Sequence, residues 1–284
     1  MKFGVSSYSF RKYLLDTKCD YIKLCDLAKE MGYDGIEFTP LEEKAYGITD
    51  DPIKTAKEIR EHCERIGLEI CAYTVGAELC GENADSQLEE LLHHIDVAEV
   101  LGAKVLRHDV CYSLPKTHLY SYRDAIKEMV PRIRKATKYA EKKGIRTCTE
   151  NHGYIFQAPE RVEELILAVN EKNYGWLCDI GNFLCVDADP AKAVSIAAPY
   201  TFHVHAKDFL YKSGDVECPE GFFTNSNGNH LRGTVIGHGV VPVKNCITIL
   251  KKAGYDGWLS VEFEGMESCL DAIKAGLNYL KSII

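Results

Sequence analysis

No run in this 284-residue sequence stays apolar long enough to cross a bilayer; every apolar stretch is short and broken by charge, which excludes a transmembrane helix. The first residues, MKFGVSSYSF, lack the apolar core of a signal peptide, so a cytoplasmic setting is expected. Basic stripes are missing too. Acidic residues outnumber basic ones by 42 to 34, for a net charge of −8. Nucleic-acid binding rewards clustered Lys and Arg, so no such partner is expected, and no membrane partner either. Twelve cysteines are present, but no two form C-x-x-C, and they scatter from Cys19 to Cys269. That spacing argues against a disulfide frame or a structural zinc cluster and for free, buried thiols. Low-complexity segments and long charge blocks are absent as well. A 46% hydrophobic composition supplies a sizeable core.

What is present is an alternation. Short β-rich runs fall at Lys2–Ser6, Asp34–Phe38, Leu68–Thr74, Lys104–Asp109, Ile145–Glu150, Gly175–Asp179, Thr201–His205 and Trp258–Phe263. Helix-period stretches follow at 20–31, 52–66, 85–101, 120–143, 158–171, 189–197, 243–253 and 267–281. Gly32, Gly67, Gly102, Gly144 and Gly254 stand just after helical stretches, and Pro52, Pro159 and Pro190 open others, which is helix punctuation. Eight βα units in one chain predict an α/β fold, a single (β/α)8 TIM barrel domain over 1–284. A doubly wound open sheet fits less well, because no glycine-rich phosphate loop follows the first run. One stretch breaks the rhythm: a long insert at about 206–242, after the seventh run. Loops of that length are usually functional.

In such a barrel the C-terminal strand ends share one mouth. The fifth run ends in Glu150-Asn151-His152, the sixth in Asp179, the seventh in His203 and His205, the eighth in Glu262 and Glu264. Period two puts Glu262 with Glu264, and His203 with His205 and Lys207, on common faces. Glu262 lies nearer the strand body, and His205 nearer the strand end. Glu150, Asp179, His205 and Glu262 thus make a mixed oxygen and nitrogen donor set, suited to Mn2+, Mg2+ or Co2+ and compatible with Zn2+. Glu37, ending the second run, is open between a substrate contact and a salt-bridged barrel residue. Arg107, His108 and Asp109 on the fourth run are open in the same way, with one of them expected to reach the pocket.

The motifs GYDGIEF, TENHG, CDIGNF, HVHAKDF, the Gly237-His238-Gly239 turn and WLSVEFEG together resemble the sugar phosphate isomerase/epimerase family, with its xylose-isomerase-like barrel. The resemblance spans the whole chain and extends to tagatose and psicose 3-epimerases, inosose isomerases and dehydratases, and endonuclease IV. It implies that Glu150, Asp179, His205 and Glu262 hold a divalent metal, commonly manganese, cobalt or magnesium. It also implies that Glu150 and Glu262 exchange protons with a carbohydrate substrate. The epimerases carry a substrate-contacting His where this chain has Asn182. The Ala206-Lys207-Asp208 sequence matches dehydratase-like branches. Endonuclease IV binds DNA with extra His ligands, and the acidic charge here speaks against that activity.

The expected function is therefore a metal-dependent isomerase or epimerase of a sugar, ketose or related polyol ketone. It would work through an enediolate, with Mn2+ the leading ion. His152, Asn182, Lys207, Arg107 and Glu37 are the candidate substrate contacts. The runner-up is a lyase of the same fold, dehydrating an inosose-type ketone or eliminating from a 3-keto glycoside. A non-catalytic sugar-binding barrel is a third reading. The insert, with Phe222, Phe223, His230 and Arg232, is expected to act partly as a lid. Outer helices of this fold commonly form homo-oligomer contacts, but nothing in the sequence identifies such a surface.

Overall fold

The computed structural model describes residues 1–41, 51–116 and 119–284. In chain order its elements are β1 (Lys2–Ser6), α1 (Arg11–Thr17), α2 (Tyr21–Met31), β2 (Gly35–Phe38), α3 (Pro52–Ile66), β3 (Glu69–Val75) and α4 (Ala84–Leu101). Then come β4 (Val105–His108), α5 (Tyr122–Glu141), β5 (Arg146–Glu150), α6 (Pro159–Val169), β6 (Tyr174–Asp179), α7 (Pro190–Ala197) and β7 (Thr201–Ala206). The chain ends with β8 (Asp208–Lys212), β9 (Phe223–Thr224), β10 (His230–Thr234), α8 (Val243–Lys252), β11 (Trp258–Val261) and α9 (Cys269–Ile283).

Helix starts and stops follow from local chemistry. Asp20, Asp51 and Asp189 each accept a backbone N–H from three residues on, satisfying donors the first turn leaves open. Pro52, Pro159 and Pro190 occupy first positions, where a missing N–H costs nothing. Gly102 ends α4 at a φ of 87°, a left-handed conformation that a side chain disfavours.

β1, β11, β7, β6, β5, β4, β3 and β2 form, in that order, a closed barrel of parallel strands. All eight runs become barrel strands, and the ends shift by a residue or two. The largest shift is in β11, which stops at Val261, so Glu262 lies one residue beyond it; its N–H still bonds to the carbonyl of Ala206 at 3.0 Å. α1 and the short 3-10 turn Ser7–Phe10 have no counterpart in the sequence reading.

Side-chain alternation stacks the barrel interior in layers. Ala72, Val105, Cys148 and Leu177 form a buried apolar cluster. Two residues further along the same strands stand Thr74, Arg107, Glu150 and Asp179. The period of two keeps both sets on the inner face. An apolar plug therefore lies under a polar mouth. Burying one such Leu contributes about 1.5–3 kcal/mol.

The insert is not an open loop. β8, β10 and β9 make a three-stranded antiparallel sheet. Asp208 closes it: its carboxylate accepts the backbone N–H groups of Phe209, Gly237, Gly239 and Val241 at 2.9–3.0 Å. A Cβ on Gly239 would collide with that carboxylate, so this close approach requires glycine.

Candidate metal and active site

Strand ends deliver the central cluster. Glu150 and Asp179 are the last residues of β5 and β6, His205 is the next to last of β7, and Glu262 follows β11. The β6–β7 register sets Asp179 directly against His205. One potential ligand atom from each of the four lies within 4.8 Å of the others. Nδ1 of His205 is 3.4 Å from Glu262 Oε2, 3.6 Å from Glu150 Oε1 and 4.0 Å from Asp179 Oδ2.

Each member is held from behind. Asp179 Oδ1 accepts N–H from Gly181 and Asn182 at 2.8 and 2.9 Å, so Oδ2 alone turns to the cluster. Asn151 explains the middle of the ENH triplet. It is wholly buried; its oxygen accepts from Trp176 Nε1 and Asp179 N, and its amide donates to the Asp179 carbonyl. It ties β5 to β6 and fixes the spacing of Glu150 and Asp179. Arg107 lies 2.7 Å from Glu150 Oε2. Lys207 lies 2.6 Å from Glu262, 3.3 Å from Glu264 and 3.4 Å from Asp179.

Above the cluster opens a cavity of about 290 Å³. Arg107, Lys207 and His152 line it, with Tyr8, Asp109, Tyr112 and Glu264. His152 is half-exposed, its Nδ1 3.0 Å from Asp109 Oδ1. Tyr112 donates its hydroxyl to Asp109 Oδ2 at 2.6 Å, and Arg107 reaches Asp109 Oδ1 at 2.9 Å. Of the open fourth-strand trio, Arg107 and Asp109 therefore reach the pocket. His108 faces away and is buried beside Tyr174.

Two expected substrate contacts sit elsewhere. Glu37 is sealed below the mouth, its oxygens 2.8 Å from His203 Nε2 and 2.7 Å from His205 Nε2. Of the two roles left open for Glu37, the structure has the salt-bridged barrel residue and not the substrate contact: the carboxylate points inward, under the imidazoles. Asn182 is buried between Glu150 and Lys207, donating to Glu150 Oε1 at 3.0 Å and accepting from Lys207 at 3.2 Å. It orients those two groups and does not line the cavity. Nor do the insert residues named for the lid. His230 is buried, with its Nε2 2.9 Å from the Val216 carbonyl; Arg232 stacks over Phe222, and Phe223 packs edge-on against Phe209. Tyr8 and Tyr112 were missed, being single aromatics in connecting segments without period or motif.

Charge crowding dominates the electrostatics. Burial, with Glu150 and Glu262 close by, pushes Asp179 up to about 7 against the pull of Lys207. Burial also works against ionised Glu150 and Glu262, but Arg107 and His205 hold Glu150 below the usual carboxylate range, and Lys207 and His205 hold Glu262 well below it. The cluster is short of positive charge. Asp179 Oδ2 and His205 Nδ1 are buried atoms without hydrogen bonds, which ordinarily carries a cost. Three carboxylates and one imidazole with unsatisfied inward atoms fit a divalent cation.

Fold and site together define a (β/α)8 barrel with an acidic, single-imidazole centre at its C-terminal mouth. The profile of the xylose isomerase-like TIM barrel family matches residues 25–283, and the chain belongs to that family. An inosose dehydratase of Bacillus anthracis (strain CDC 684 / NRRL 3495) is 24% identical over 217 residues, 72% of each chain. The rhizopine catabolism protein MocC of Rhizobium meliloti is 30% identical over 215 residues, 70% of this chain and 63% of its own length. Among solved structures, the IOLI protein with a binding zinc atom superposes with a TM-score of 0.77 at 18% identity, over 100% of this chain and 98% of that one. Among the described residues no helix is long and apolar enough to cross a membrane, and all twelve cysteines are free, ten of them buried.

Proposed function

We propose that the chain is a divalent-metal-dependent isomerase or epimerase of a sugar, ketose or related polyol ketone. The observation that carries this reading is a symmetry. Glu150 and Glu262 approach His205 Nδ1 from two sides at 3.6 and 3.4 Å, and each has its own cation, Arg107 and Lys207 respectively. Glu150, Asp179, His205 and Glu262 would hold the ion, with Mn2+ the first choice and Mg2+, Co2+ or Zn2+ compatible. When bound, the ion supplies positive charge that stabilises the oxyanion of an enediolate.

The remaining chemistry belongs to side chains. One glutamate takes the proton from the carbon next to the substrate carbonyl. The other returns a proton, to the neighbouring carbon in isomerisation or to the opposite face in epimerisation. Arg107 and Lys207 keep both carboxylates ionised for this work. They are also the only Lys or Arg side chains among the described cavity-lining residues, and both are already engaged. That favours an uncharged polyol over a phosphate ester. Tyr8, Tyr112 and His152 supply aromatic faces and hydrogen bonds for hydroxyl groups. A cytoplasmic setting accords with the buried free thiols.

A second reading, a lyase, is favoured by the His152–Asp109 pair. After the same proton abstraction, the electron pair on carbon would expel a β-hydroxyl. His152 would protonate it, and water would leave. The inosose dehydratase named above carries such an activity in its name. Mass spectrometry of products formed in D2O from a panel of ketoses, inososes and 3-keto glycosides separates the two. Deuterium on carbon without loss of mass is the expected result. A product lighter by water or an aglycone replaces the first reading with the second, and no turnover across the panel removes both.

A further inference from the structure

We propose that Glu37 is a positioning residue for the metal centre: it fixes the ring of His205 so that Nδ1, and not Nε2, meets the ion. The proposal rests on the metal reading of the Glu150, Asp179, His205 and Glu262 cluster.

Glu37 lies in β2, and His203 and His205 lie in β7, with β1 and β11 between those strands in the barrel. The carboxylate therefore reaches across the interior. All three side chains are at most 1% exposed. An isolated carboxylate at such depth is strongly disfavoured, so its partners matter. Here each oxygen has an imidazole beside it. Oε2 is hydrogen-bonded to His203 Nε2 at 2.8 Å. Oε1 lies 2.7 Å from His205 Nε2 as a charge contact without hydrogen-bond geometry, and neither of those two atoms has another polar partner. The two rings stand at 82° with centroids 5.8 Å apart, so they do not stack on each other.

When Nδ1 meets an ion, the one proton left on the His205 ring would sit on Nε2, against Glu37. The lone pair of Nδ1 then points at the three carboxylates 3.4–4.0 Å away. This is the carboxylate–histidine–metal arrangement, in which an outer carboxylate sets tautomer and orientation. His203 holds the second oxygen and stops the carboxylate from swinging away. The group performs no chemistry on substrate, because the cavity lining does not include it.

The same neighbourhood offers a rival. Potential ligand atoms of Glu37, Cys71 and His203 also lie within 4.8 Å of one another. Glu37 Oε2 is already taken by His203 Nε2, and Oε1 has His205 Nε2 at 2.7 Å, which argues against an ion there.

Calorimetric titration of Mn2+ into metal-free protein tests the assignment. Wild type should bind one equivalent. Glu37→Gln keeps the volume and should still bind one equivalent, about 10–100-fold more weakly, while circular dichroism reports an intact fold. Unchanged affinity in that variant overturns the role of Glu37 and leaves the metal reading standing. No binding by wild type overturns both. A second equivalent that disappears in Cys71→Ala places an ion between Glu37, Cys71 and His203 and also overturns the role. If Glu37→Gln does not fold, nitrogen-15 imidazole spectra of wild type decide. A proton on Nε2 of His205, with Nδ1 shifting on Zn2+ addition, supports the proposal; the reverse pattern overturns it.

Discussion

The two ends of the barrel carry cavities of different size and different character. The groove at the N-terminal end is the larger, about 780 Å³ against about 290 Å³ at the mouth. Its charges are neutralised locally. Arg60 meets Glu64 at 2.9 Å, and Lys143 meets Glu99 at 2.5 Å. At the mouth Lys207 faces three carboxylates at once, and Arg107 faces two. Volume does not mark the site. Unbalanced, buried charge does, because folding alone gives no reason to crowd acids where burial penalises them.

The largest effect should come from the mouth carboxylates. Glu150→Gln and Glu262→Gln should each slow turnover by about 10²–10⁴-fold with the fold intact, read from product formation in D2O. A near-wild-type rate in either removes that carboxylate from the mechanism. Chelation of the metal should stop turnover in wild type, and restoring the ion should recover it.

Next is the ion network beside them. Burial opposes ionised Asp109, but Arg107 and His152 hold it down at about 2, below its ordinary 3.8. A depressed folded-state value means that this stabilisation is full above about 3.8 and is lost as pH falls through about 2. It amounts to about 2 kcal/mol. Asp109→Asn should remove it at neutral pH and flatten the acid limb, as measured by urea denaturation between pH 2 and 7. An unchanged acid limb would mean that the mouth stores no such energy.

A smaller effect belongs to the insert. Phe223→Ala should cost about 1 kcal/mol through its contact with Phe209, leaving KM unchanged. A raised KM with wild-type stability would restore the lid. Smallest of all, Lys143→Met in the lower groove breaks its pairs with Asp96 and Glu99 at the surface. It should change stability by under about 1 kcal/mol and turnover not at all. A loss of turnover there would break the contrast between the two ends.

The sequence carried the contrast unevenly. Period two and the position of strand ends were enough to select Glu150, Asp179, His205 and Glu262, because those rules act locally on each strand. They do not report depth. Glu37 has the right parity for the mouth, yet it sits beneath the imidazoles, because its depth depends on which strands face each other across the barrel, a property of closure and not of any one segment. Asn182, named from the resemblance, lies in the 3-10 turn after β6, where strand parity does not apply, and is held between Glu150 and Lys207. The insert strands DFLYK and HLRGT were read as loop, since HLRGT carries no strand pattern of its own and the sheet is closed by Asp208 holding Gly237, Gly239 and Val241 far along the chain. Tyr8 and Tyr112 reach the cavity through connection geometry that no periodicity encodes.

That clamp closes the insert at its base. Its two ends meet at the single carboxylate of Asp208, so the chain between them is closed on itself before it rejoins the barrel. Lengthening a closed loop costs only about 0.6 kcal/mol per doubling. Residues 213–222 can therefore be rewritten or exchanged without moving β7 or α8, provided Asp208 and Gly239 remain and Asn225, Asn227 and Asn229 keep their bonds to Asp187 after β6.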